Sequence, residues 1–135
     1  MLKIEHIGIA VSNLEASNKL FSSLLGTDCY KTEEVESEGV TTSFFKVGES
    51  KIELLEATDS NSAIAKFIEK KGEGIHHIAF ATENIDNVFK EVEAKGIQLI
   101  DKTPRKGAEG LDIAFLHPKS TLGVLTELCE NKKTI

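Results

Sequence analysis

Hydrophobic and polar positions alternate from Leu2 to Val11, with Ile7, Ile9 and Val11 on one side and His6, Gly8 and Ala10 on the other. A period of two predicts a strand. The period then lengthens. Leu14, Leu20, Phe21, Leu24 and Leu25 recur at helical spacing between Ser12-Asn13, which can cap a helix, and Gly26, which can end one. A helix over about 14–25 is expected, with those five as its buried stripe. Three strand-like runs follow, Cys29 to Val35, Val40 to Val47 and Lys51 to Glu56, the last two joined by a Gly48-Glu49 turn.

The same order then returns. Gly74 to Ala81 alternates, and Ile85 to Lys95 carries Ile85, Val88, Phe89 and Val92 behind Glu83-Asn84. Ile97 to Asp101, Leu111 to Leu116 and Gly123 to Glu130 are expected as strands. Between the two series, Asp59 or Ser60 can cap a helix bearing Ile64, Phe67 and Ile68, which Gly72 closes.

The two series are copies in register. His77 falls on His6, Ile78 on Ile7, Ala79 on Gly8, Phe80 on Ile9 and Ala81 on Ala10, 71 residues apart. Lys51 to Glu56 matches Leu125 to Glu130, which sets Glu127 on Glu53 at an offset of 74. The longer hairpin from His117 to Leu122 accounts for the difference. The chain reads as one α+β domain, 1–135, of two tandem βαβββ modules: module one at about 1–56, a connecting helix at about 57–72, module two at about 73–130, and a tail at 131–135.

Composition changes this picture little. A chain of 135 residues can bury a real core. No apolar run approaches the roughly 20 residues of a membrane span, and no signal-peptide pattern opens the chain, so a cytoplasmic location and no membrane partner are expected. A formal net charge of −6 speaks against nucleic acid as a partner. Lys102, Arg105, Lys106 and Lys119 are the basic residues of interest. Cys29 and Cys129 form no CxxC and read as free thiols.

The chemistry lies in the duplicated histidine and glutamate. A lone strand histidine is usually structural, but independent accidents do not place His on His and Glu on Glu. A pseudo-twofold axis between the modules would gather His6, Glu53, His77 and Glu127 as four metal ligands. Imidazole nitrogen and carboxylate oxygen suit a borderline divalent ion such as Zn, Co, Ni or Mn. An ion with open positions can polarise a carbonyl and help remove the adjacent proton. Each histidine shares its strand face with small residues, Gly8 and Ala10 or Ala79 and Ala81, which leave room beside the imidazole. His76 is matched by Glu5, points to the other face, and is read as a non-ligand.

Several stretches, taken together, resemble the vicinal oxygen chelate superfamily of glyoxalases, bleomycin-resistance proteins and dioxygenases. They are His6 to Val11, Ile52 to Leu55, Asp59 to Phe67, Gly72 to Phe80, and Phe115 to Lys119 running into Gly123 to Leu128. The Gly72-Glu73-Gly74-Ile75-His76-His77 run and the Leu116-His117-Pro118-Lys119 hairpin are similar to those of the methylmalonyl-CoA epimerases within it. The resemblance implies an open, curved mixed sheet around a metal cleft, with His6, Glu53, His77 and Glu127 holding one divalent ion (Co, Zn, Ni or Mn). It also implies a homodimer and a CoA thioester epimerised at the carbon α to its carbonyl.

One departure stands out. Many such epimerases carry a glutamate where this chain has Thr42, and an alcohol is a poor general base at neutral pH. Glu127 could act as the acid/base by loosening from the metal, and Glu36 and Glu38 are close in sequence. Thr42, Arg105, Lys106 and Lys119 are the candidate substrate-binding residues. The alternatives are a glyoxalase I-like lactoylglutathione lyase and a non-catalytic binder of small metal-chelating molecules.

Overall fold

The structure is a computed structural model that describes residues 1–132. In chain order the elements are β1 (Lys3–Ala10), α1 (Leu14–Leu25), β2 (Lys31–Val35), β3 (Val40–Val47), β4 (Ser50–Ala57), α2 (Ala63–Lys71), β5 (Gly74–Ala81), α3 (Ile85–Ala94), β6 (Arg105–Lys106), β7 (Asp112–Leu116) and β8 (Thr126–Glu130). The class is α+β, and each half follows a βαβββ order. By contact, the chain divides into two compact units, residues 6–76, and residues 77 onward together with residues 1–5.

In the first unit the strands lie in the order β2-β3-β4-β1. β3 runs antiparallel to β2 and β4, and β1 runs parallel to β4. One face is covered by α1, which sets Leu14, Phe21 and Leu25 against Ile9, Val11, Phe45, Ile52 and Leu54. The other face carries Ala10, Val40 and Leu55, packed against Ile64, Phe67 and Ile68 of α2. Alternation along β1, β3 and β4 sorts these residues to their faces.

The second unit repeats the plan, with strands in the order β5-β8-β7-β6 and β5 parallel to β8. Ile85, Phe89 and Val92 of α3 pack on Ala114, Leu116 and Leu128. The opposite face carries Ala79, Leu111, Ile113, Phe115 and Cys129. Leu2 N–H donates to the Ala81 carbonyl at 2.8 Å, which ties the start of the chain to this unit.

The helix starts are built alike. Asn13 Oδ1 accepts from Ala16 N–H at 2.9 Å, and Asn84 Oδ1 accepts from Asn87 N–H at 3.0 Å. The last glutamate of each Glu-bearing strand reaches the first turn as well. Glu56 Oε1 accepts from Leu14 N–H at 3.2 Å and Glu130 Oε1 from Ile85 N–H at 2.8 Å. A carboxylate there meets both an unsatisfied donor and the positive end of the helix dipole.

Several expectations need correction. Leu20 and Leu24 are 64% and 70% exposed, so they are not part of the buried stripe of α1. At about 100° per residue, Leu14, Phe21 and Leu25 share one direction, and Leu20 falls a quarter turn or more away. The strand expected over 97–101 is reduced to one bridge, Leu99 to Leu116. Asp101 turns the chain there. Its Oδ2 accepts from Phe115 N–H and its Oδ1 from Arg105 Nε, both at 2.8 Å. The edge strand forms instead at β6, later in the chain. The connecting helix is capped by Ser62, whose hydroxyl accepts from Ala65 N–H at 3.1 Å, while Asp59 Oδ1 accepts from Asn61 N–H. Within the expected tail, Lys132 is anchored to Asp86 and Asp112, each at 3.3 Å, and 133–135 lie outside the described residues. Among the described residues no helix is long and apolar enough to cross a membrane.

Candidate metal centre

The first unit contains one histidine–glutamate pair. His6 on β1 and Glu53 on β4 are each 3% exposed, with His6 Nδ1 3.1 Å from Glu53 Oε2. The ladder explains how they meet. β1 lies beside β4 with Gly8 opposite Glu53, and the absent side chain at Gly8 leaves the Glu53 carboxylate space toward His6. On the other flank Phe44 stands opposite Glu53.

The second unit contains the matching pair. His77 on β5 is 5% exposed and Glu127 on β8 is 4% exposed, with His77 Nε2 3.4 Å from Glu127 Oε1. Ala79 is opposite Glu127 here, the small residue in the position of Gly8. Phe115 is opposite Glu127 on β7, and its ring meets the His77 imidazole edge-on at 5.8 Å.

Cys129 has a role that its sequence reading as a plain free thiol missed. It is 1% exposed, and its Sγ donates to Glu127 Oε2 at 3.0 Å. The spacing held the signal: residues two apart on a strand share a face.

Each of the other predicted residues has its own surroundings. Thr42 is on β3, 1% exposed, opposite Leu55 and one step along the same face from the Phe44–Glu53 pair. Arg105 stacks over the Phe115 ring at 5.7 Å and donates from Nε to Asp101. Lys106 Nζ is 2.7 Å from Asp112 Oδ1, and holds that carboxyl below its ordinary 3.8 together with Lys132, against the opposing pull of burial. Lys119 lies in the turn Pro118–Ser120, where its N–H donates to His117 Nδ1 at 3.1 Å. His76 packs edge-on against Phe67 at 5.1 Å.

Each unit therefore buries one imidazole against one carboxylate. Burying carboxylates is costly unless they are paired or bind a cation. Imidazole nitrogen and carboxylate oxygen, beside residues too small to fill the space, are donor types that suit a borderline divalent ion.

Two βαβββ units, each presenting one buried His–Glu pair from matching strands, define a class of protein built by duplication of a half-site. A family model for the glyoxalase/bleomycin resistance protein/dioxygenase superfamily matches residues 5–115, and the chain belongs to that superfamily. It is 41% identical to the uncharacterized protein YqjC of Bacillus subtilis (strain 168), over 98% of this chain and 94% of that one. It is 40% identical to the mitochondrial methylmalonyl-CoA epimerase of Dictyostelium discoideum, over 95% of this chain and 78% of that one. Among solved structures, a variant of Streptomyces coelicolor methylmalonyl-CoA epimerase in complex with 2-nitronate-propionyl-CoA is similar at a TM-score of 0.94. That structure shares 38% identity, covering 98% of this chain and 96% of the other.

Proposed function

We propose that this protein is a metal-dependent epimerase of methylmalonyl-CoA or a similar acyl-CoA thioester, with His6, Glu53, His77 and Glu127 together holding one divalent ion. The observation that carries this is the duplicated, buried His–Glu pair in a chain similar over nearly its whole length to an epimerase in complex with a CoA thioester analogue. A divalent ion held there would supply Lewis-acid stabilisation of negative charge developing on a carbonyl oxygen.

The protein's own part is proton transfer. Glu127 takes the proton from the carbon α to the thioester carbonyl, and the electron pair of the broken C–H bond passes into the carbonyl. A carboxylate has the pKa range for this, and Cys129 fixes one of its oxygens while the other faces His77. Glu53, its counterpart in the first module, is the carboxylate available to return a proton. The Thr42 hydroxyl is unsuited to that step, because its pKa is far above neutral. One proton leaves and one returns, so the substrate changes only in configuration.

The test is incubation of the Co²⁺-loaded protein with methylmalonyl-CoA in D2O. Deuterium at the α carbon together with interconversion of the epimers is the expected result. Formation of lactoylglutathione from the hemithioacetal, with no exchange into methylmalonyl-CoA, would identify a glyoxalase I-like lyase instead. Tight binding without turnover of either compound would identify a binding protein.

A further inference from the structure

Two adjacent residues on β3 bury hydroxyls that lack a hydrogen-bond partner among the described residues. Thr42 is 1% exposed and Ser43 0%, and the orphaned atoms are Thr42 Oγ1 and Ser43 Oγ. Buried side-chain polar groups are in large majority bonded, so each exception calls for a cause. Side chains alternate across a strand, so these two hydroxyls face opposite ways.

Ser43 stands opposite Leu54, on the face that α1 covers. Thr42 stands opposite Leu55, on the face that carries Glu53. Gly8 continues that face onto β1 beside Glu53, and His6 is two residues before it on the same side. A hydroxyl on this face can serve as a donor to a ligand atom, and an alcohol remains protonated at neutral pH.

We propose that Thr42 is a substrate-contacting residue, its hydroxyl donating to a carboxylate oxygen of a C2-carboxylated acyl thioester engaged by the His6–Glu53 half-site. The proposal rests on the epimerase reading and adds a specificity element to it. A hydrogen bond to a charged oxygen is stronger than one between neutral groups. A site built around such a donor discriminates against thioesters that lack the carboxylate, because the buried donor then stays unpaired. Ser43 is the internal control, equally orphaned but on the α1 side.

The experiment compares Thr42→Val, Thr42→Ala, Thr42→Ser and Ser43→Ala with the parent protein. α-Hydrogen exchange of methylmalonyl-CoA is followed on the Co²⁺-loaded protein, and thermal unfolding is followed without metal or substrate. Thr42→Val and Thr42→Ala are expected to raise KM about tenfold, the scale of one good hydrogen bond, with a much smaller change in kcat. Thr42→Ser should keep the parent KM, and Ser43→Ala should leave it unchanged. The unfolding midpoint of Thr42→Val should equal or exceed that of the parent, since an unpaired buried hydroxyl has been removed. A KM for Thr42→Val and Thr42→Ala within about twofold of the parent's, in a protein that exchanges methylmalonyl-CoA, overturns the contact and leaves the epimerase reading standing. A lowered midpoint for Thr42→Val also overturns it, by showing that the hydroxyl is already satisfied, as by a buried water. A parent protein that performs no exchange overturns both.

Discussion

His6 Nδ1 lies 3.1 Å from Glu53 Oε2, and each side chain is 4% exposed. The second module repeats the pairing through His77 Nε2 and Glu127 Oε1 at 3.4 Å, so duplication kept the residue types while each imidazole uses a different nitrogen. Two carboxylates are thus held in the interior with imidazole neighbours, and buried carboxylates are paired or coordinate a cation.

Replacing either histidine by alanine should abolish tight Co²⁺ binding, measured by calorimetry, and α-hydrogen exchange with it. His6→Ala leaves the Glu53 carboxylate short of a partner, and His77→Ala does the same for Glu127. Loss of a partner from a buried polar group costs about 1–3 kcal/mol, so both metal-free variants should also unfold at lower temperature. Glu127→Gln should keep the protein folded while reducing exchange by a factor on the order of 10² or more. Wild-type Co²⁺ affinity in His6→Ala and His77→Ala would remove these residues from the metal centre.

In the proposed metal centre, Cys129 hydrogen-bonds one of the ligands, Glu127. Groups that hydrogen-bond a metal ligand typically set about 10–100-fold in affinity. Cys129→Ala is expected to weaken Co²⁺ binding within that range, and Cys129→Ser, which restores a donor, to recover most of it. Equal Co²⁺ affinity in the alanine variant and the parent would show that the 3.0 Å contact to Glu127 has no bearing on the metal.

Asp112 gives the second unit a predictable acid response. Lys106 at 2.7 Å and Lys132 at 3.3 Å hold its carboxyl below the ordinary 3.8, against the upward push of burial. A folded-state value below the unfolded one means that this contribution is present above about pH 4 and is lost as pH falls through the folded value. Lys132 shows the opposite sign. Asp86 first and Asp112 second hold its ammonium above 10.5, so that contribution is present below 10.5 and is lost as pH rises through the folded value. Asp112→Asn should lower the unfolding midpoint at about pH 7 and flatten its fall below about pH 4, as followed by thermal unfolding across pH. An acid limb identical to the parent's would show that Asp112 contributes nothing to it.

Glutamates outside the His–Glu pairs show how far pattern alone could carry. The echo that sets Glu127 on Glu53 also sets Glu130 on Glu56. In the fold, Glu56 and Glu130 bond helix N-termini, while Glu53 and Glu127 face imidazoles. Three positions along a strand reverse the face, so one copy of the residue type is structural and the other is available for chemistry.

By itself the sequence determined the α+β class, the two βαβββ modules, the helix starts at Asn13 and Asn84, and the partnership of like with like across the duplication. These follow from periodicity and capping, which are properties of neighbouring residues. Tertiary structure decided what depends on residues far apart in the chain. It exposed Leu20 and Leu24, because α1 presents only one side to β1, β3 and β4. It moved the edge strand from 97–101 to β6, because Asp101 bonds the Phe115 backbone instead of extending the ladder. It left the Thr42 and Ser43 hydroxyls buried on opposite faces without a hydrogen-bond partner among the described residues. Strand register fixes those relations, and register is set by the whole ladder, which no local stretch of sequence encodes.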